Sequence, residues 1–166
     1  MASAALTRDL RFDRRSFFSR YTHVAAVCYR IRDDGRVEFL LVRTRAGRWT
    51  FPKGGVDGDP TPAAAAAREA YEEAGVRGRV ERRAFDLYLH SKNGFSRPKH
   101  ALPVAAHLCA VVELKRPLEP YRDPTWFSPA KAKRRVEKAR RRKYAAELAR
   151  VIDSAVERIA RQHARK

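Results

Sequence analysis

The chain has 166 residues, 44% hydrophobic and 34% charged, and carries a net charge of +18. That length favours one domain, and the composition allows a real core beneath a heavily solvated surface. No run of about 18 apolar residues occurs, so no transmembrane helix is expected, while the charge points to polyanionic partners such as nucleic acid, acidic lipid surfaces or highly phosphorylated small molecules.

Residues 1–20 are polar and basic and read as a flexible cytosolic arm, with Phe12, Phe17 and Phe18 as docking points. Residues 21–166 read as one domain. The segments THVAAVCYRIR at 22–32 and RVEFLLVR at 36–43 are apolar and β-rich, and Asp33-Asp34-Gly35 between them is a turn signal, so the pair reads as a hairpin. A loop at 44–48 leads to WTFP at 49–52, which alternates and stops at Pro52. KGGVDGDP at 53–60 reads as a Gly- and Asp-rich loop. Thr61 is placed to cap a helix, Pro62 suits its first turn, and Gly75 is placed to end it after Ala74.

Residues 76–91 read as one or two strands, 92–100 as a basic loop, 101–114 as a buried strand and 115–125 as a Pro-punctuated loop. A helical region starts near Ser128. In its last part Tyr144, Leu148, Val151, Ile152, Ala155 and Ile159 recur at spacings of three and four, a stripe that packs on its own domain. Strands, a helix, strands and then helices predict a mixed α/β sandwich. Cys28 and Cys109 both fall in strands without a CxxC partner. They read as buried free thiols in a reducing compartment, with a single disulfide as the alternative.

The charge is uneven. Residues 131–166 hold 14 Lys and Arg against four Asp and Glu, more than half the net charge. The run KAKRRVEKARRRK at 131–143 has no interleaved aromatics, which favours nonspecific phosphate binding over base readout.

The stretch 54–76 carries the chemistry. Glu69, Glu72 and Glu73 are spaced i, i+3 and i+4, so they project from one helical face. Three carboxylates so placed repel unless a cation sits among them; Arg68 reaches Glu72 at i+4 but cannot neutralise all three. A hard divalent cation can, and such a cluster suits phosphoryl chemistry. A solvated helix face with one Arg–Glu pair is the alternative reading of ExxEE by itself. The upstream Gly-rich loop and the terminal Gly75 weigh against it.

The whole stretch resembles the Nudix hydrolase box. Gly54 begins it, Arg68-Glu69, Glu72-Glu73, Gly75 and Val76 fall at matching offsets, and Ala70 takes the aliphatic position. One departure is clear: the first Glu of the pattern falls on Pro60, where Asp57 and Asp59 can replace its charge but not its register. The resemblance implies a Nudix-type α/β/α sandwich with a mixed β-sheet, here followed by a basic C-terminal helical segment at about 128–163. It implies Glu72 and Glu73 as principal Mg²⁺ ligands (Mn²⁺ being the alternative ion), Glu69 as a further ligand or the base acting on water, Arg68 as the residue orienting the carboxylates, and the Gly54 carbonyl as a further ligand. Some members add an acid from a later loop, for which Glu119 is the candidate.

Arg48-Trp49, then Phe51-Pro52-Lys53-Gly54-Gly55, and later Trp126-Phe127, look like the branch hydrolysing diphosphoinositol polyphosphates and diadenosine polyphosphates. Core packing is the safer reading of Trp49 and Trp126 than stacking on a base. A ligand with many phosphates needs many cations at close quarters. The candidates are Arg43, Arg45, Arg48 and Lys53 on one side of the box and Lys92, Arg97, Lys99 and His100 on the other. The expected protein is a cytoplasmic Mg²⁺-dependent pyrophosphohydrolase. Removal of pyrophosphate from RNA 5′ ends, with the basic segment holding RNA, is a second reading. A Nudix-fold polyanion-binding module with weakened catalysis, favoured by Pro60, is a third.

Overall fold

The computed structural model describes residues 22–56, 58–91 and 101–165. The proposed N-terminal arm lies outside the described residues, as do Asp57 and the loop carrying Lys92, Arg97, Lys99 and His100.

Strands β1 (His23–Ile31) and β2 (Val37–Arg43) form the expected antiparallel hairpin. The two-residue β3 (Trp49–Thr50) pairs with β2, and β4 (Lys53–Gly55) pairs antiparallel with the start of β1, with Val24 opposite Gly54. Residues 53–55 are therefore a strand and not part of the loop expected at 53–60. Two glycines gave no strand signal, and it is the free edge of β1 that supplies the pairing. Helix α1 (Pro62–Ala74) leads into β5 (Val76–Val80), β6 (Asp86–Ser91) and the long β7 (Ala101–Leu114). A 3₁₀ turn (Pro120–Arg122), β8 (Thr125–Phe127), α2 (Pro129–Glu137) and α3 (Arg142–His163) complete the chain.

The strands form one mixed sheet ordered β3-β2-β1-β7-β5, with β4 on β1, β6 on β7 and β8 on β2. The central β1–β7 pair is parallel; the other pairs are antiparallel. Both faces of β1 and β2 are covered, which explains their unbroken apolar runs. Val24, Ala26, Cys28, Leu40 and Val42 face α1, whereas Ala25, Val27, Tyr29, Phe39 and Leu41 join the α2 and α3 stripe of Ala132, Val136, Leu148, Val151 and Ile152. Tyr144 is only half-buried at the edge of that stripe. Trp49 is buried, its ring edge-on to Phe127 at 5.0 Å, while Trp126 is half-buried beneath Arg30. Cys28 and Cys109 stand opposite each other in the parallel register, both buried and free.

Helix α1 follows its sequence signals closely. Thr61 Oγ1 accepts from the Ala64 amide at 3.1 Å, Pro62 opens the first turn, and Gly75 closes the helix at φ 67. Ala65, Ala66, Ala70 and Ala74 are its buried contacts. Alanine there lets the helix backbone lie close to the sheet and costs no side-chain entropy. Gly75 is required twice over: its backbone is left-handed, and a Cβ would overlap the Lys115 carbonyl, whose chain is held by a 2.8 Å bond from Lys115 N to Gly75 O. Gly75→Ala is expected to destabilise the fold by about 2 kcal/mol, read from the midpoint of urea denaturation.

Candidate active site

Strand β4 lies along the glutamate-bearing face of α1. Glu69 and Glu73 are 8% and 6% exposed, although both are carboxylates, because they point toward β4 rather than toward water. Gly54 is the closest approach: a Cβ there would overlap the carboxylate of Glu69. Glu72 projects further out, with its side chain 39% exposed.

Arg68 is the hub of the site. Its Nη1 donates to Glu69 Oε1 at 2.7 Å and reaches Glu72 Oε2 at 3.3 Å, while Nη2 donates to the Gly55 carbonyl at 2.9 Å. Nε and Nη2 grip Asp59 at 3.1 and 3.0 Å. Asp59, one residue before Pro60, thus sets a carboxylate against Arg68; Asp57, the other candidate for the charge lost at Pro60, lies outside the described residues. The pair with Glu72 matches the i+4 expectation. The contacts with Glu69 and Asp59 show the guanidinium holding more charge than helical spacing alone suggests.

A second hub comes from the 115–125 loop. The amides of Leu118 and Glu119 donate to the Glu72 carbonyl at 3.0 and 3.4 Å, which satisfies the end of α1 and docks the loop on it. Arg122 then bridges Glu73 Oε1 at 3.0 Å and Glu119 Oε2 at 2.8 Å. Glu119, a loop acid in sequence, therefore joins the site through Arg122. Sequence spacing offered no sign of Arg122, whose role exists only once the loop folds back.

Desolvation dominates the electrostatics. Burial raises the pKa of Glu69, against the pull of Arg68. Burial also pushes Glu73 up to about 7, although Arg122 and Lys53 favour its charge and the Lys53 amide donates to Oε2 at 3.4 Å. Burial brings Lys53 down to about 8, with Arg140, Arg122 and Arg48 opposing its charge and Glu73 supporting it. Among the described residues no three His, Cys, Asp or Glu side chains already converge as a metal cluster; Arg68 and Arg122 hold the carboxylates apart. The donor set nonetheless suits a hard divalent ion. It offers up to four carboxylates, and at Gly54 the missing Cβ leaves bare backbone beside Glu69.

The expected phosphate contacts divide. Lys53 lies in the field of Glu73, and Arg48 and Arg140, the latter from the link between α2 and α3, bear on Lys53. Arg43 instead stacks on Trp49 at 4.6 Å with its Nε 3.5 Å from Asp123, and Arg45 lies over Tyr121 at 4.6 Å. His90, unremarkable in sequence, is brought down to about 3 by burial and by Lys53, Arg140, Arg48 and His23. His107 is lowered by burial, although its Nδ1 contacts the Glu81 carbonyl at 2.9 Å. A depressed histidine pKa adds stability that is complete above the unfolded value near 6.5 and is lost as pH falls toward the folded value. The two histidines are therefore expected to lose stability from pH 7 to pH 4, against the gain that the raised Glu69 and Glu73 make as they protonate over the same window. His90→Gln is expected to shift the change in stability across that range in the stabilising direction at low pH, as read by urea denaturation.

This is an α/β/α sandwich built around a carboxylate helix. The model of the NUDIX domain matches residues 21–148, and the chain belongs to the Nudix hydrolase family. Diphosphoinositol polyphosphate phosphohydrolase 2 of Rattus norvegicus is 38% identical over 71 residues, covering 43% of this chain and 38% of the relative. The 3-alpha enzyme of that name from Homo sapiens is 42% identical over 59 residues, 34% of this chain and 36% of the relative. The matched segments thus span under two fifths of these relatives' lengths. A C. elegans Ap4A hydrolase binary complex superposes with TM-score 0.65 at 20% identity, covering 85% of this chain and 98% of that one. The NUDIX domain of Shewanella oneidensis NrtR, complexed with ADP ribose, gives 0.59 at 16% identity, covering 96% and 99%. At such identities these structures speak for the fold. Among the described residues no helix is long and apolar enough to cross a membrane.

Proposed function

We propose that the chain is a Mg²⁺-dependent pyrophosphohydrolase cleaving a phosphoanhydride in a highly anionic substrate, a diphosphoinositol polyphosphate or a dinucleoside polyphosphate. The observation that carries this reading is the placement of Glu69, Glu72 and Glu73 on one face of α1, joined through Arg68 and Arg122 and set beside the Gly54 backbone and the Glu119 loop. Mg²⁺ held there, with Mn²⁺ as the alternative ion, would neutralise charge developing on the phosphates and lower the pKa of water. Glu72 and Glu73 are the principal ligands, with the Gly54 carbonyl and Glu119 completing the set. Glu69 is a further ligand or accepts the proton from the attacking water; its raised pKa suits proton acceptance. Arg68 fixes the orientation of Glu69 and Glu72 and is itself anchored by Asp59. Arg122 neutralises Glu73 and Glu119, the two carboxylates that would be shared with a bound ion. Arg48 and Lys53 face the substrate's phosphates. The relatives' names support the diphosphoinositol class.

Removal of pyrophosphate from RNA 5′ ends is a second reading. It is favoured by the exposure of Lys131, Arg134, Arg135, Lys138, Arg141, Arg142 and Lys143 on one continuous segment. The non-catalytic reading weakens, because Asp59 makes good the charge lost at Pro60. Rates on a diphosphoinositol phosphate, diadenosine tetraphosphate and 5′-triphosphorylated RNA separate the classes. The lead reading expects kcat/KM on one of the first two to exceed that on RNA by at least about tenfold, and a preference for RNA would overturn it.

A further inference from the structure

Arg122 is held along its edge by three elements of the fold. Nε donates to Glu119 Oε2 at 2.8 Å, Nη2 pairs with Glu73 Oε1 at 3.0 Å, and Nη1 donates to the Arg43 carbonyl at 3.2 Å. Those acceptors come from its own turn, from α1 and from the end of β2. They occupy the rim of the guanidinium and leave its faces free. An aromatic ring meets the cation there: the Tyr121 centroid lies 4.9 Å from Arg122 Cζ. Arg45, from the β2–β3 loop, lies over the same ring at 4.6 Å. The Tyr121 hydroxyl donates to Glu119 Oε1 at 3.3 Å, so Tyr121 and Arg122 hold the two oxygens of one carboxylate.

Local structure sets this up. Pro120 opens the 3₁₀ turn with its fixed φ, and Asp123 closes it at φ 48, a region that Asp enters more readily than most residues. The Asp123 carboxylate then lies 3.5 Å from Arg43 Nε, which ties the turn to β2 a second time. Tyr121 is 38% exposed, whereas the Arg122 side chain is 15% exposed. The ring is therefore no core residue; it is a cover over a guanidinium that is largely withdrawn from water. Excluding water strengthens the ion pair beneath, and the partner there is the buried carboxylate of Glu73.

We propose that Tyr121 is a positioning residue of the hydrolytic site: its ring, backed by Arg45, holds Arg122 against Glu73 and Glu119 and so fixes where those two carboxylates stand. The inference rests on the hydrolytic reading above and adds a residue that acts only through Arg122. It also gives Arg45 a different part from the phosphate contact expected of it, since its guanidinium is engaged with the ring.

Turnover and NMR of the metal-free protein test this together. Tyr121→Leu keeps apolar bulk but removes the ring, and is expected to lower kcat about three- to tenfold with KM within about twofold of the parent. Tyr121→Phe keeps the ring and should stay within about twofold of the parent in kcat. Both should melt within about 2 °C of the parent, because the side chain buries little surface. Arg45→Gln should lower kcat in the same direction and leave KM unchanged. In an Arg122→Lys background Tyr121→Leu should have no further effect, since residues acting through one group are not additive. The Arg122 Nε–H should exchange slowly with solvent in the parent and in Tyr121→Phe, and at least about tenfold faster in Tyr121→Leu. If Arg122→Lys does not fold, that exchange rate decides. Parental kcat or unchanged exchange in Tyr121→Leu overturns the proposal, as do equal losses in the Leu and Phe variants or additive losses with Arg122→Lys. A rise in KM alone in Arg45→Gln overturns the part given to Arg45. Faster Nε–H exchange in Tyr121→Leu, in a chain that hydrolyses no phosphoanhydride, overturns the hydrolytic reading and leaves the hold of Tyr121 on Arg122 standing.

Discussion

Glu73→Gln is expected to lower turnover by at least about 10³-fold, the scale on which losing a metal ligand or a catalytic carboxylate acts, while the protein remains folded. The fold tolerates the change because the site already disfavours the ionised form. Burial raises the Glu73 pKa to about 7 even beside Arg122 and Lys53, so a neutral amide of the same shape suits its surroundings. The single amide oxygen can stand where Oε1 accepts from Arg122 or where Oε2 accepts from the Lys53 backbone, but not in both places. The weaker 3.4 Å bond to Lys53 is the one to lose, and Arg122 retains Glu119. Circular dichroism and the denaturation midpoint should match the parent closely. Turnover within tenfold of the parent would remove Glu73 from the reaction and the metal assignment with it.

Gly54→Ala is expected to cost about 10²-fold in kcat/KM, the loss typical of a catalytic group displaced by an ångström or so. An alanine Cβ would occupy the space now held by the end of the Glu69 side chain. A carboxylate can swing aside where a backbone carbonyl cannot. The strand pairing of β4 with β1 should therefore survive, and stability should stay within about 1 kcal/mol of the parent. This contrasts with Gly75, where the obstructing atom is the Lys115 carbonyl and the damage falls on the fold. Gly54→Ala at parental activity would show that Glu69 need not occupy this position.

Much of this was legible in the chain because it is local. The Thr61 cap, Pro62, the αL Gly75 and the three-and-four spacing of the last helix each depend on neighbours within one or two turns, and each lies where its signal placed it. The glutamate face of α1 follows from helical geometry alone. What escaped is non-local. Residues 53–55 form a strand only because β1 offers an edge. The sequence offers Asp59, beside Asp57, as a substitute for the missing charge, but the turn that brings its carboxylate onto Arg68 is encoded by no short motif. Arg122 ties Glu73 to Glu119 across some fifty residues, and Arg140 turns inward through a left-handed alanine that composition gives no reason to expect.

The most direct measurement is the isotopic content of products formed in ¹⁸O-labelled water from a diphosphoinositol phosphate, with Mg²⁺ and with a chelator. If the carboxylate helix directs water at phosphorus, one product phosphate carries a single solvent oxygen, and product appears only with the metal. Equal turnover in the chelator, or products without label, would contradict the account.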